Sequence, residues 1–327
     1  MPELPEVETI RRGLSQFIMK KKLVGTTILC DKSFIGTPVA GTVENIRRFG
    51  KALIIDLDNG HSLMIHLRMT GQLIYDGTTS KTATAKSTNQ PETRFAAGHP
   101  SDNFTAKLPN QQTRVIFHFD SGTLFFNDQR KFGFVKVLPT PEVENDPFIK
   151  KLAPEPWAMT KDELYSRLQR HAGSCIKATI LDQTIICGLG NIYADESLFA
   201  AHIHPERKSG TISREEAAKL LLSARDVMDK SIASGGSTMA TYVKADGTKG
   251  DYLELFAQVF HKEGQPCLRC GQKIIKIKVA GRGTHICPHC QTPPLLNREE
   301  SACQNSAKPA KPASQVNQTT PTKKGAK

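Results

Sequence analysis

Residues 51–67 read KALIIDLDNGHSLMIHL, and this stretch decides what kind of fold the chain can adopt. An apolar run (51–57) meets Asp58-Asn59-Gly60 and is followed by a second apolar run (62–67). Strand-forming residues on both sides of an Asn-Gly turn predict a β-hairpin. The pattern recurs in RVIFHF (114–119), Asp120-Ser121-Gly122 and TLFF (123–126), and FVKVL (134–138) adds a further strand. Several short strands at this spacing predict a sandwich or barrel. Between the hairpins, residues 76–112 are rich in Thr, Ser, Asn and Pro and lack periodicity. So long a loop is unusual inside a compact domain, and it is expected to be a mobile insertion.

The chain opens MPELPEVETIRRG (1–13). Pro5 suits the first turn of a helix, where a missing N–H costs nothing. Glu6 and Glu8 complement the positive end of the helix dipole. Val7, Ile10, Leu14, Phe17 and Ile18 follow at helical spacing, which predicts a helix over about residues 5–19. Pro2 and Glu3 precede that helix, and helix formation does not explain them. Removal of Met1 before a small second residue would leave Pro2 with a free secondary amine. Such an amine, with a pKa near ~8, is partly neutral at cellular pH and attacks acetal or carbonyl carbons. Glu3 beside it is a candidate proton donor. Neighbouring carboxylates favour the ammonium form, so the site needs burial or a deprotonating partner.

Beyond the strands, residues 139–157 are proline-rich and acidic, and predict a linker. ISREEAAKLLLSARDVMDKSIASGG (212–236) predicts a helix with a Ser213/Glu216 capping box, one apolar face and a Gly235-Gly236 stop. GLGNIYADESLFAAHIHP (188–205) predicts a glycine turn leading into a shorter helix. CLRC (267–270) and CPHC (287–290) form C-x2-C-x16-C-x2-C. Cys267, Cys270, Cys287 and Cys290 then make a closed tetrahedral zinc site, structural rather than catalytic. His285 and His289 lie close by, but four thiolates complete the shell. Lys276 and Lys278 give the intervening hairpin a basic face, and Arg282 between Gly281 and Gly283 is expected at its tip. Cys30, Cys175, Cys187 and Cys303 have no comparable spacing.

Of the 327 residues, 44 are basic and 32 acidic, a net charge of +12. The segment 301–327 contributes five lysines and no acid, so an excess of positive charge remains on the body of the chain and points to a polyanionic partner. No apolar run follows a charged N-terminal region, and no stretch approaches the ~18 apolar residues of a membrane span. A cytoplasmic protein with reduced cysteines is therefore expected. The divisions are a β-sandwich domain with a leading helix (1–138, including the insertion 76–112) and a linker (139–158). A helical domain (159–262), a finger (263–291) and a disordered basic tail (292–327) follow.

PELPEVE at the start, GLGNIYADE in the helical middle and the four-cysteine finger together resemble the bacterial formamidopyrimidine-DNA glycosylases, whose wider family includes endonuclease VIII. The resemblance runs from residue 2 to about 291. It implies an α+β multidomain fold: a β-sandwich with a leading helix, a helix-two-turn-helix domain and a C-terminal zinc-finger β-hairpin. It also implies a monomeric base-excision repair enzyme that cuts oxidised purines from damaged double-stranded DNA and then cleaves the strand. By position, Pro2 resembles the nucleophile, Glu3 the general acid and Glu6 a supporting carboxylate. Lys51, His66, Asn191 and Arg282 resemble phosphate contacts. Met69, Arg130 and Phe132 resemble residues that fill the void left by an everted nucleotide. Lys177 resembles a lysine close to the lesion pocket, and Glu196 an active-site carboxylate.

The chain departs from its relatives in places. Gln129-Arg130-Lys131 stands where a proline and two arginines are common, Ala153 replaces a more usual glycine, and Gln112 and Arg114 replace histidines. Two other readings follow from the same residues. One is an endonuclease VIII-like enzyme for oxidised pyrimidines, which the ELPE rather than EGPE opening disfavours. The other is a non-catalytic zinc-finger protein that binds damaged DNA and needs no free Pro2.

Overall fold

The computed structural model describes residues 2–77, 94–99, 106–236 and 252–293. Helix α1 spans Leu4–Ile18, with Glu3 at its N-cap in a reciprocal capping box with Glu6. Its buried Val7, Ile10, Leu14 and Ile18 form the stripe that the sequence predicts.

Ten strands follow: β1 (Lys22–Ile28), β2 (Phe34–Ile35), β3 (Gly41–Phe49), β4 (Ala52–Leu57), β5 (His61–His66), β6 (Gly71–Asp76), β7 (Arg94–Gly98), β8 (Thr113–Phe119), β9 (Gly122–Asp128) and β10 (Phe134–Pro139). They form one sheet in the order β2-β10-β5-β4-β3-β1-β8-β9-β6-β7. The β1–β3 link pairs only Lys22 with Thr42 and Leu23 with Gly41. The two halves on either side of it share one core with α1, in which Ile46, Leu53 and Ile55 meet Leu73, Phe117 and Phe126. This is the expected sandwich. In β4, Leu53, Ile55 and Leu57 enter that core. Ala52 and Ile54 point to the other face, under Leu138, Val143 and Ile149. Burial on both faces explains why this strand reads as a continuous apolar run.

Two sequence expectations need correction. The segment 76–112 is not uniformly without structure, because Arg94–Gly98 forms β7 and pairs with β6. Phe95 is fully buried, and the absence of a side chain at Gly13 makes room for its ring: a Cβ there would lie 2.2 Å from it. RFAAG is too short and too rich in Ala and Gly to show a strand period. Residues 78–93 and 100–105 lie outside the described residues. The 139–158 segment is not a free linker either. Helix α2 (Pro147–Lys150) is capped by Asp146, and buried Val143 and Ile149 pack it onto the outer face of β4.

The helical domain comprises α3 (Lys161–Arg170), α4 (Ile176–Leu181), α5 (Asn191–Ala201), α6 (Arg214–Ala233) and α7 (Tyr252–Leu255). Ser213 and Glu216 make the predicted capping box on α6. Leu4, just outside the sandwich core, belongs to the core of this domain and ties the chain start to it. The finger is a hairpin of β11 (Ile275–Val279) and β12 (Arg282–Ile286). Its turn is Ala280-Gly281, with φ of +48° and +75°. Arg282 is thus the first residue of β12 rather than the tip. The tail from 294 onward lies outside the described residues. Among the described residues, no helix is long and apolar enough to cross a membrane.

Candidate functional site

The chain start is sunk against the N-terminus of α5. Pro2 and Glu3 are both buried. The Glu3 carboxylate accepts a hydrogen bond from the Ile192 N–H at 3.1 Å, with the Tyr193 N–H at 3.5 Å. The free N–H groups and dipole of a helix N-terminus favour a carboxylate there. The glycines of GLGN make the approach possible. A Cβ on Gly190 would lie 2.1 Å from Glu3 Cδ, and one on Gly188, whose φ is +96°, would lie 2.3 Å from Leu4 Cδ1.

Three more groups converge on this point. The Glu3 N–H donates to Glu6 Oε2 at 2.8 Å, and the Tyr193 hydroxyl donates to Glu6 Oε1 at 2.5 Å. Lys51 is buried and its Nζ donates to the Leu189 carbonyl at 2.7 Å. Glu155 fixes the turn before Lys51: it accepts the Gly50 N–H at 2.9 Å and pairs with Arg48.

Burial dominates the electrostatics. It pushes the Glu3 carboxyl up to about 7, against the pull of the Lys51 ammonium, with the Glu6 charge adding to the rise. It also lowers the Lys51 ammonium, against the attraction of Glu3. Glu3 is therefore a carboxylic acid that can give up a proton near neutral pH, which is what general acid catalysis requires.

A second set of residues faces outward from the sandwich. Met69 is 39% exposed and Phe132 54%, so neither is a core residue. Their loops are tied together: the Arg130 N–H donates to Thr70 Oγ1 at 3.0 Å, and the Arg130 guanidinium lies 4.8 Å from the centre of the Phe132 ring. His66 is nearly buried and stacks on Phe134. Burial, with Arg68 and Lys51 adding, pushes it down to about 3, so it is neutral. Its Nδ1 accepts the Arg68 N–H at 3.0 Å, which leaves the proton on Nε2 as a donor. Asn191 donates from Nδ2 to the Gly283 carbonyl at 3.0 Å and so lies beside Arg282, which is exposed.

Two further residues of the sequence reading are enclosed by protein. Lys177 has no exposure. Its Nζ is held by Asp195 Oδ1 at 2.6 Å, Thr284 Oγ1 at 2.7 Å and the Gly283 carbonyl at 3.4 Å. It pins the finger to the helical domain, within electrostatic range of Glu3 and Arg282. Glu196 is buried and accepts three backbone N–H groups, from Gln258, Val259 and Phe260, at 2.8–2.9 Å. It fastens the approach to the finger. Both are charged residues within or next to catalytic-looking motifs, and the motif does not report the structural contacts that hold them. Sequence reasoning also passed over Asp195, the partner of Lys177, although it lies in the same NIYADE motif.

The thiols of Cys267, Cys270, Cys287 and Cys290 all lie within 4.8 Å of one another, with Sγ–Sγ separations of 3.9 Å (267–290) and 3.4 Å (270–287). Sulfurs placed tetrahedrally at ~2.3 Å from a zinc ion stand roughly 3.8 Å apart, so the cluster fits one zinc.

Comparison with known proteins agrees with this arrangement. Residues 1–135 match the family model of the formamidopyrimidine-DNA glycosylase N-terminal domain. Residues 152–243 match that of its H2TH domain, and residues 264–293 that of the zinc finger found in FPG and IleRS. The chain is 38% identical over 302 residues to the formamidopyrimidine-DNA glycosylase of Pelotomaculum thermopropionicum, covering 89% of this chain and 99% of that protein. It is 36% identical, with the same coverage, to that of an Exiguobacterium species. A crystal structure of a Lactococcus lactis FPG mutant with Fapy-dG-containing DNA superposes with a TM-score of 0.74, at 32% identity, over 89% of this chain and all of that one. The four cysteines hold one structural zinc ion.

Proposed function

Because the chain belongs to the formamidopyrimidine-DNA glycosylase family, we propose that it is a bifunctional DNA glycosylase and abasic-site lyase of base excision repair. Its substrates are oxidised purines in duplex DNA, chiefly 8-oxoguanine opposite cytosine and formamidopyrimidines. The observation that carries the reading is the buried chain start, with an acid poised near neutral pH beside Pro2 and a buried lysine in the same pocket.

Pro2, freed of Met1, attacks C1′ as the bond to the damaged base breaks. Glu3 protonates the sugar ring oxygen, and the opened sugar becomes an iminium on the Pro2 nitrogen. The iminium acidifies the C2′ protons, so the 3′ phosphate leaves by β-elimination and the 5′ phosphate by δ-elimination. Glu6, fixed by Tyr193, holds the Glu3 backbone. Lys51, the Nε2–H of His66, Asn191 and Arg282 hold phosphates around the everted nucleotide. Met69, Arg130 and Phe132 enter the space it vacates, where an apolar wedge supports the kink and an arginine bonds the orphaned base. The zinc is structural and takes no step. The enzyme acts as a monomer on the DNA of a bacterial cytoplasm.

Comparing excision of 8-oxoguanine with that of thymine glycol, in otherwise identical duplexes, tests the substrate class. Faster excision of 8-oxoguanine is expected, and a clear preference for thymine glycol would move the assignment to oxidised pyrimidines.

Glu3→Gln separates stability from activity. A carboxyl raised above its unfolded value binds its proton more tightly in the fold. Between the unfolded value near 4.5 and about 7, the folded state therefore loses stability as pH rises. Glu3→Gln should be more stable than the wild type at pH 8, by up to a few kcal/mol of unfolding free energy, and about equally stable at pH 4. Its excision rate should fall by about a hundredfold, the scale of a lost general acid. The wild-type rate should decline above pH 7. An unchanged rate in Glu3→Gln would remove Glu3 from the chemistry.

A further inference from the structure

Asp128, at the end of β9, has no exposed surface, and it is not among the residues that would touch DNA. One carboxylate oxygen accepts the Thr70 hydroxyl, from the loop that presents Met69, and the Arg130 N–H at 3.1 Å. The other accepts the Gly133 N–H at 2.7 Å, on the far side of Phe132. One buried side chain thus grips both loops that carry the three wedge residues, and it grips the second loop at both ends.

The Asp128 backbone is held as firmly. Its N–H donates to the Gln112 carbonyl at 2.8 Å, and its carbonyl accepts Arg114 Nε at 2.7 Å. Arg114 also donates to the Gln111 carbonyl at 3.0 Å. The Arg114 guanidinium thus braces the end of β9 against the 111–112 backbone. Gly133 has no room for a side chain, since a Cβ would lie 2.8 Å from Phe126 and 2.9 Å from the His66 carbonyl.

We propose that Asp128, braced by Arg114, is a positioning residue that holds Met69, Arg130 and Phe132 as one preset array. The inference rests on the base-excision reading above. Exposed side chains on two separate loops would otherwise have to be ordered when DNA binds, and that ordering entropy would oppose insertion. With the array preset, the void left by eversion is filled without that loss. Such a role matters only where there is a stack to fill. Duplex substrate has one, and an abasic site in single-stranded DNA does not.

The test compares wild type, Asp128→Asn and Thr70→Val on an 8-oxoguanine duplex and on a single-stranded oligonucleotide with a preformed abasic site. Asn places an N–H donor against the N–H of Gly133, whereas Val removes only the hydroxyl that joins the loops, from a partly exposed position. Duplex excision should fall between about ten- and a hundredfold in Asp128→Asn, and by less in Thr70→Val, as expected for displaced positioning groups. Cleavage of the single-stranded site should stay within about twofold. With 2-aminopurine opposite the lesion, its fluorescence on binding should differ from wild type in both variants, because the wedge no longer contacts the orphaned base uniformly. Normal duplex excision in both variants would overturn the inference while leaving the glycosylase reading intact. Equal losses on both substrates would also overturn it, because they would mean general damage to the domain. A wild-type protein inert on the duplex would overturn the excision reading, and this inference with it.

Discussion

Sodium borohydride added to the protein and a duplex bearing one 8-oxoguanine should trap a covalent protein–DNA species on the N-terminal peptide. Pro2→Gly should lose most base excision, by about a hundredfold or more, equivalent to at least ~3 kcal/mol of barrier. The physical obstacle to an amine nucleophile here is its acidic neighbourhood, since carboxylates stabilise the ammonium form. The structure bears on this directly. Pro2 is buried, and in a chain freed of Met1 burial would disfavour the ammonium form of its amine. Glu3 titrates near 7 rather than as an ordinary carboxylate, and the Lys51 cation shares its pocket. All three effects lower the cost of a neutral amine. A crosslink that maps to Pro2 would establish the nucleophile and the iminium route together. Tight binding with no crosslink, or a mature protein that keeps Met1, would support the non-catalytic reader of damage.

The hairpins and the main helix were legible because their signals are local: apolar runs around Asp58-Asn59-Gly60, or Ser213 and Glu216 three residues apart. The motif GLGNIYADE was legible as a motif, but its physical meaning was not. Gly188 and Gly190 make room for Leu4 and Glu3, more than 180 residues away in the chain, and nothing local records that contact. β7 was lost for a related reason. Its pairing with β6 and the seat of Phe95 over Gly13 are tertiary, and Arg94–Gly98 carries no periodic signal of its own. Lys177 and Glu196 carry contacts that no local pattern records: their hydrogen-bond partners lie on the finger and its approach, so both also act as fasteners. For Met69 and Phe132, residue type favours a core position and exposure favours the wedge.

Those fasteners set the expected result of removing the zinc. Asp195 accepts Lys177 through Oδ1 and the His285 N–H at 2.9 Å through Oδ2, and Lys177 reaches Thr284, whose hydroxyl donates to the Arg282 carbonyl at 3.1 Å. Arg282 is therefore aimed by a relay that exists only while the finger is folded. Four thiolates without their ion have no other reason to converge, so chelation or Cys287→Ser should unfold the hairpin. The Lys177–Asp195 pair then keeps its own ion pair but loses its partners and its cover on β12. DNA affinity should fall by more than about a hundredfold: Arg282 and the basic hairpin face are lost, and the brace on the Asn191 end of α5 goes with them. The rest of the molecule should survive. Trp157 is the only tryptophan, and its Nε1 donates to Asp229 on α6 at 3.0 Å, far along the chain from the finger. Its emission should be unchanged in a chelated protein that no longer binds DNA, and readdition of zinc should restore binding. If DNA binding persists after the metal is gone, the finger does not aim Arg282. If Trp157 emission shifts together with the loss of binding, the zinc stabilises the helical domain as well as the hairpin.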